Sequence, residues 1–93
     1  MIVGVLRIQL ALYEAQSLKD KRRVVKSIKD RLSSRFNASV AEVDALDSRK
    51  HAVLGVAVVG NEGAYVHSCL DRIVDVLRRQ GNASLIDYQR ELL

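Results

Sequence analysis

The chain has 93 residues, 48% of them apolar and 28% charged, with fifteen basic residues against eleven acidic ones and a net charge of +4. That length fits one domain, residues 1–93, burying about 60 to 70 per cent of its unfolded surface, and the composition excludes a disordered or collagenous chain. The single cysteine, Cys69, excludes an intrachain disulfide and a cysteine-built zinc site. No run has the length of a membrane span and the apolar start lacks a signal peptide's basic leading segment, so a cytoplasmic protein is expected.

Residues 2–13 alternate Ile2, Gly4, Leu6, Ile8, Leu10 and Leu12 with Val3, Val5, Arg7, Gln9, Ala11 and Tyr13, the period of a strand. Ser17 is placed to cap a helix, with Asp20 as a short capping-box partner, and the helix is predicted to run to about Arg35. Leu18, Val24, Val25, Ile28, Leu32 and Phe36 fall on one arc of it, and Lys19, Arg22, Arg23, Lys26 and Lys29 on the opposite one. A second strand at 38–44, a polar turn at 45–50 and a third strand at 51–59 follow, the two strands forming a hairpin. Asn61 is the expected cap of a second helix reaching Gln80 and burying Val66, Cys69, Leu70, Ile73 and Leu77. Gly81 ends that helix, and Ser84 to Leu92 is a fourth strand.

Strand, helix, strand, strand, helix, strand is the ferredoxin-like βαββαβ order, an α+β fold with two helices on one face of a four-stranded antiparallel sheet. Both faces of the third strand are apolar, and Val3, Val5 and Ala11 of the first strand extend the second face. In an open sheet that face meets water. An apolar one predicts a cover, and a second copy in a C₂ homodimer supplies it most simply.

Sites for chemistry are sparse. Tyr13 to Gln16 lacks the glycine-rich arginine loop with which acylphosphatases of this fold hold phosphate. His67 and Cys69 stand two apart on a helix and face different ways, so they make no nucleophile–base pair. Cys69 is read as a core residue and Arg7 as a structural or interface one. Glu42 and Asp44 share a face of the second strand, with Asp47 in the turn, and could hold Mg²⁺; ion pairing with Arg49 and Lys50 is the simpler expectation. Gly60 to Gly63 spells the GxxG of KH domains but follows a strand instead of joining two helices. The third strand has no aromatic residue for stacking RNA bases. No metal, cofactor or catalytic residue is called for.

The charge is concentrated. Residues 17–36 hold eight of the fifteen basic residues and two of the eleven acids, a net +6 that leaves −2 elsewhere. On the first helix the cations repeat at three- and four-residue spacings with Asp30 as the one acid among them, and such repulsion suits an anionic partner. On the second helix the signs balance, with Asp75 spaced to pair with Arg78 and Arg79.

The S-L-K-D-K-R-R run of residues 17–23 is followed by Lys26-Ser27-Ile28-Lys29, Arg35-Phe36-Asn37, Ala41-Glu42-Val43-Asp44 and the Leu54 to Val59 strand. Together these resemble the YlxP-like family of small bacterial proteins, a domain of unknown function. The resemblance covers nearly the whole chain and implies a ferredoxin-like fold, no established catalysis and, by gene neighbourhood, a link to RNA or the ribosome. Where members often carry proline and histidine before the helix, this chain has Tyr13 and Gln16; where some carry an aromatic after the second strand, it has Ser48. The expected function is thus a non-enzymatic RNA- or ribosome-associated factor binding through Lys19, Arg22, Arg23, Lys26 and Lys29. The alternative is a dimeric regulatory or assembly module with a small-ligand site between protomers.

Overall fold

Strand β1 (Ile2–Ala11) lies inside the sheet, flanked by β3 and β4, because both of its edges find antiparallel partners: Ile2 to Ala11 align with Gly60 to His51, and Gly4 to Ala11 with Leu92 to Ser84. The structure is a computed structural model describing residues 1–93. The remaining elements are α1 (Leu18–Arg35), β2 (Ala38–Asp44), β3 (His51–Gly60), α2 (Gly63–Arg78) and β4 (Ser84–Leu92), in sheet order β2-β3-β1-β4. This is the expected ferredoxin-like arrangement. The hairpin of β2 and β3 and the bounds of β2, β4 and α1 follow the sequence pattern, whereas β1 stops two residues early, at Ala11. One further bond follows in the β1–β3 register, the Leu12 N–H donating to the Lys50 carbonyl at 2.7 Å.

One face of the sheet carries Leu6, Ile8, Leu10, Leu54, Val56 and Val58, all at most 2% exposed, and both helices pack on it. Helix α2 buries Val66, Cys69, Leu70, Ile73 and Leu77 as expected, with Val74 and Val76 added. It sits close to β1 because residue 4 is glycine: a Cβ there would run into the Val66 and Leu70 side chains. Its start differs from the sequence expectation. Glu62, not Asn61, is the N-cap and makes no side-chain cap bond, and the helix ends at Arg78.

At the start of α1 the predicted cap is formed. The Ser17 hydroxyl oxygen accepts from the Asp20 N–H at 3.1 Å, and the Asp20 carboxylate accepts from the N–H of Gln16 at 3.0 Å. A full capping box would reach residue 17; the carboxylate turns instead to the residue before it.

The other sheet face carries no helix. Its centre is apolar, where Val5, Ala41, Val43, Gly55 and Ala57 line a shallow trough of about 340 Å³, while Arg7, Gln9, Ser39 and Asp44 bring polar groups to the same three strands. Val43 lies across β3 because residue 55 is glycine, whose added Cβ would come within 2.9 Å of Val43 Cγ1. Ala11, expected on this face, is instead 1% exposed, tucked beside Tyr13, Glu14 and the segment before β4.

Candidate polyanion-binding surface

Helix α1 turns two kinds of charge in two directions. Lys19, Arg22, Arg23 and Lys26 are exposed and Lys29 half-exposed, so the predicted stripe is formed on the outer side. Its charges are not wholly without relief: Lys26 Nζ lies 2.7 Å from Asp30 Oδ2, one turn further on. Both partners are largely exposed, so this pair contributes about 0.3 to 0.5 kcal/mol. Lys19, Arg22, Arg23 and Lys29 take part in no ion pair.

Lys21 points the opposite way. It shares the buried stripe with Val25, Ile28 and Leu32, at the i, i+4, i+7 and i+11 positions of one helix face, and is 0% exposed. A bare ammonium in a core is costly unless its donors are satisfied. Here Nζ donates to the carbonyl of Ala45 at 2.6 Å, with the Leu46 carbonyl at 3.5 Å, and lies 2.8 Å from Glu42 Oε2. That oxygen is buried and has no hydrogen-bond partner, so its contact with Lys21 is one of charge. Ala45 is the one non-glycine residue with positive φ, at 57°. The left-handed backbone, which costs an L-residue about 1 to 2 kcal/mol, aims its carbonyl where Lys21 and the Ser48 N–H both reach it. Lys21 therefore fastens α1 to the turn between β2 and β3. The sequence held a signal for it, since Lys21 stands four residues before Val25 and seven before Ile28. Among eight basic residues it reads as one more surface charge.

The carboxylates do not gather. A bulge between Glu42 and Asp44 shifts the register of β2 on β3 and so undoes the two-residue alternation. Glu42 therefore faces α1 and Lys21, while Asp44 faces the open side and meets Arg7 Nη2 at 3.0 Å across β3. Asp47 is exposed and joins neither. The expectation of a shared face is corrected accordingly, and no group of three His, Cys, Asp or Glu side chains is close enough to hold a metal. Arg7, read from the sequence as a structural or interface residue, makes this one exposed pair with Asp44.

Arg49 and Lys50 pair with none of these acids. They donate to the Gln16 carbonyl at 3.4 Å and the Tyr13 carbonyl at 2.6 Å, tying down the loop before α1, whose carbonyls have left the sheet. Asp75 likewise makes no ion pair with Arg78 or Arg79; Arg78 lies over the Tyr88 ring at 5.9 Å. Exposed His67 meets Arg90, which also pairs with Asp71. Cys69 is buried, and its contact with Tyr65 raises that phenol above the ordinary 10.0.

The βαββαβ order, with a sheet of order β2-β3-β1-β4 and two helices on one face, defines a ferredoxin-like α+β domain. Solved structures of the same shape include the de novo designed protein Foldit4, at TM-score 0.56 and 12% identity over 100% of this chain and 97% of that one. Another is a dimeric ferredoxin-like protein from an uncultured marine organism, at TM-score 0.53 and 10% identity over 100% and 96%. At such identities the likeness is one of fold. The family follows from sequence: over residues 3–90 the chain matches the family described as "Protein of unknown function (DUF503)", and it belongs to that family. It is 30% identical over 73 residues to the "Uncharacterized protein YlxP" of Bacillus subtilis (strain 168), covering 78% of this chain and 79% of that protein. No helix is long and apolar enough to cross a membrane.

Proposed function

We propose that this protein is a non-enzymatic factor that binds RNA, free or within a ribosomal particle, through the outer face of α1, acting as one cytoplasmic domain. The observation that carries this is the disposition of charge on α1. Lys19, Arg22, Arg23, Lys26 and Lys29 lie outward with Asp30 as their one acidic neighbour in contact. Lys21, meanwhile, holds the helix to the body of the fold and keeps the stripe in place. Cations spaced at three and four residues along a rigid helix neutralise successive phosphates and release their counterions, a gain independent of base sequence. If all five meet phosphates, log affinity against log salt slopes at about −3.5 on a single strand. The test is co-sedimentation with ribosomal particles from cell extract: the Arg22→Glu, Lys26→Glu variant is expected to stay in the supernatant, and its pelleting like the parent at moderate salt refutes the reading.

A second reading, self-association and a ligand site between protomers, is favoured by the apolar trough of Val5, Ala41, Val43 and Ala57 on the uncovered sheet face. The dimeric state of the marine ferredoxin-like protein is consistent with it. Sedimentation of a monomer at high micromolar concentration removes this reading and leaves the first untouched.

A further inference from the structure

A second cationic site lies away from the stripe, where the C-terminal half of α1 meets α2. Arg31 and Arg35 of α1, with Arg72 and Arg79 from α2 and its C-cap, line a cleft of about 190 Å³ beside Phe36. Asp75 is the sole carboxylate among the lining residues, and it makes no ion pair with any of the four. Guanidinium groups do not shed their charge by deprotonation, so the lining keeps a net +3 on four exposed arginines, a charge that suits an anion.

Two of the four are positioned by neutral neighbours rather than by acids. Arg72 Cζ lies 5.5 Å from the centroid of the Phe36 ring, which keeps the guanidinium against an aromatic face. Arg31 Nη1 donates to Gln80 Oε1 at 3.1 Å. Helix dipoles favour cations at the C-terminal ends of helices, which accounts for Arg35 and Arg79. They do not account for Arg72, two turns inside α2, nor for the convergence of side chains from two helices on one concavity. Planar forks with free donors match the oxygens of a phosphate, which accepts two parallel N–H bonds from each.

We propose that this cleft takes a phosphate group of the same RNA chain that the outer face of α1 binds, an inference resting on the RNA reading above. Arg35 lies nine residues beyond Lys26, about 13 Å along the helix axis. An RNA strand laid on the stripe therefore meets the cleft by turning around the end of α1. The stripe supplies general attraction; the cleft fixes where along the chain the protein sits.

The experiment uses the full chain and a short single-stranded oligouridine. Arg35 and Arg79 are both exposed, so the Arg35→Gln, Arg79→Gln variant is expected to keep the parent's urea midpoint. It should bind the RNA more weakly, with a log affinity–log salt slope shallower by about 0.7, the share of one phosphate on a single strand. The Arg72 Nε–Hε resonance should shift as RNA is added to the parent and stay still in the variant. Should Arg22→Glu, Lys26→Glu abolish binding while the cleft variant keeps parental affinity and slope, the RNA reading stands and the cleft proposal is overturned. Parental binding by both variants defeats the RNA reading, and the cleft proposal with it. Inorganic phosphate moving the Arg72 resonance while RNA leaves it unmoved marks a small-anion site and likewise overturns the proposal.

Discussion

Helices α1 and α2 cover the same face of the same sheet, α1 chiefly over the edge strand β2 and α2 over β1 and β3, yet they hold on by different means. Helix α2 buries seven residues, all apolar or cysteine, pressed close over Gly4. Helix α1 buries four, one of them the ammonium-bearing Lys21. Apolar burial is nearly indifferent to direction, whereas a charge contact to one carboxylate and the carbonyls of a turn is satisfied in a single placement. The more charged helix, whose outer face suits a partner, is thus the one whose orientation is set by a directional contact.

The largest expected effect removes that contact. Lys21→Ala strands Glu42 and opens a cavity, and should lower unfolding stability by about 3 to 5 kcal/mol, read as a fall in the urea midpoint. Lys21→Met together with Glu42→Leu should restore most of the loss, since apolar groups of similar size replace buried pairs well. A loss of only about 1 kcal/mol for Lys21→Ala, the worth of an exposed pair, would erase the contrast between the helices. On α2 the matching change is Ile73→Ala, fully buried in the parent and expected to cost about 3 kcal/mol by cavity formation alone. No second substitution on α2 should rescue it by charge. The smallest effect belongs to Lys26→Ala, whose exposed pair with Asp30 is worth about 0.5 kcal/mol or less; a thermal scan should barely register it, and a larger shift would give the outer face a structural role.

The architecture was legible in the chain because each element keeps its own period: two in residues 2–13, about 3.6 in the Leu18 to Arg35 and Val66 to Leu77 stripes. What escaped were features that period does not encode. The bulge at Val43 inserts one residue into a regular alternation, and nothing about Glu42, Val43 or Asp44 as residue types announces it, so two acids expected together face opposite ways. Lys21 was visible by position but hidden by company, a buried cation within a run of surface ones. The arginine cleft depends on which end of α1 lies beside α2, a matter of tertiary placement. Asn61 was a sound cap by type, but the chain enters α2 one residue later.

Lys21 also makes the protein its own reporter. Amine-directed reagents acylate lysines that water can reach, so Lys19 and Lys26 react at once while the Lys21 amine, wholly enclosed against the Ala45 carbonyl, is chemically silent. The rate at which that one amine becomes modified then counts how often the turn between β2 and β3 lifts away from α1. A partner that clamps the helix from outside slows that clock without touching the residue that keeps it.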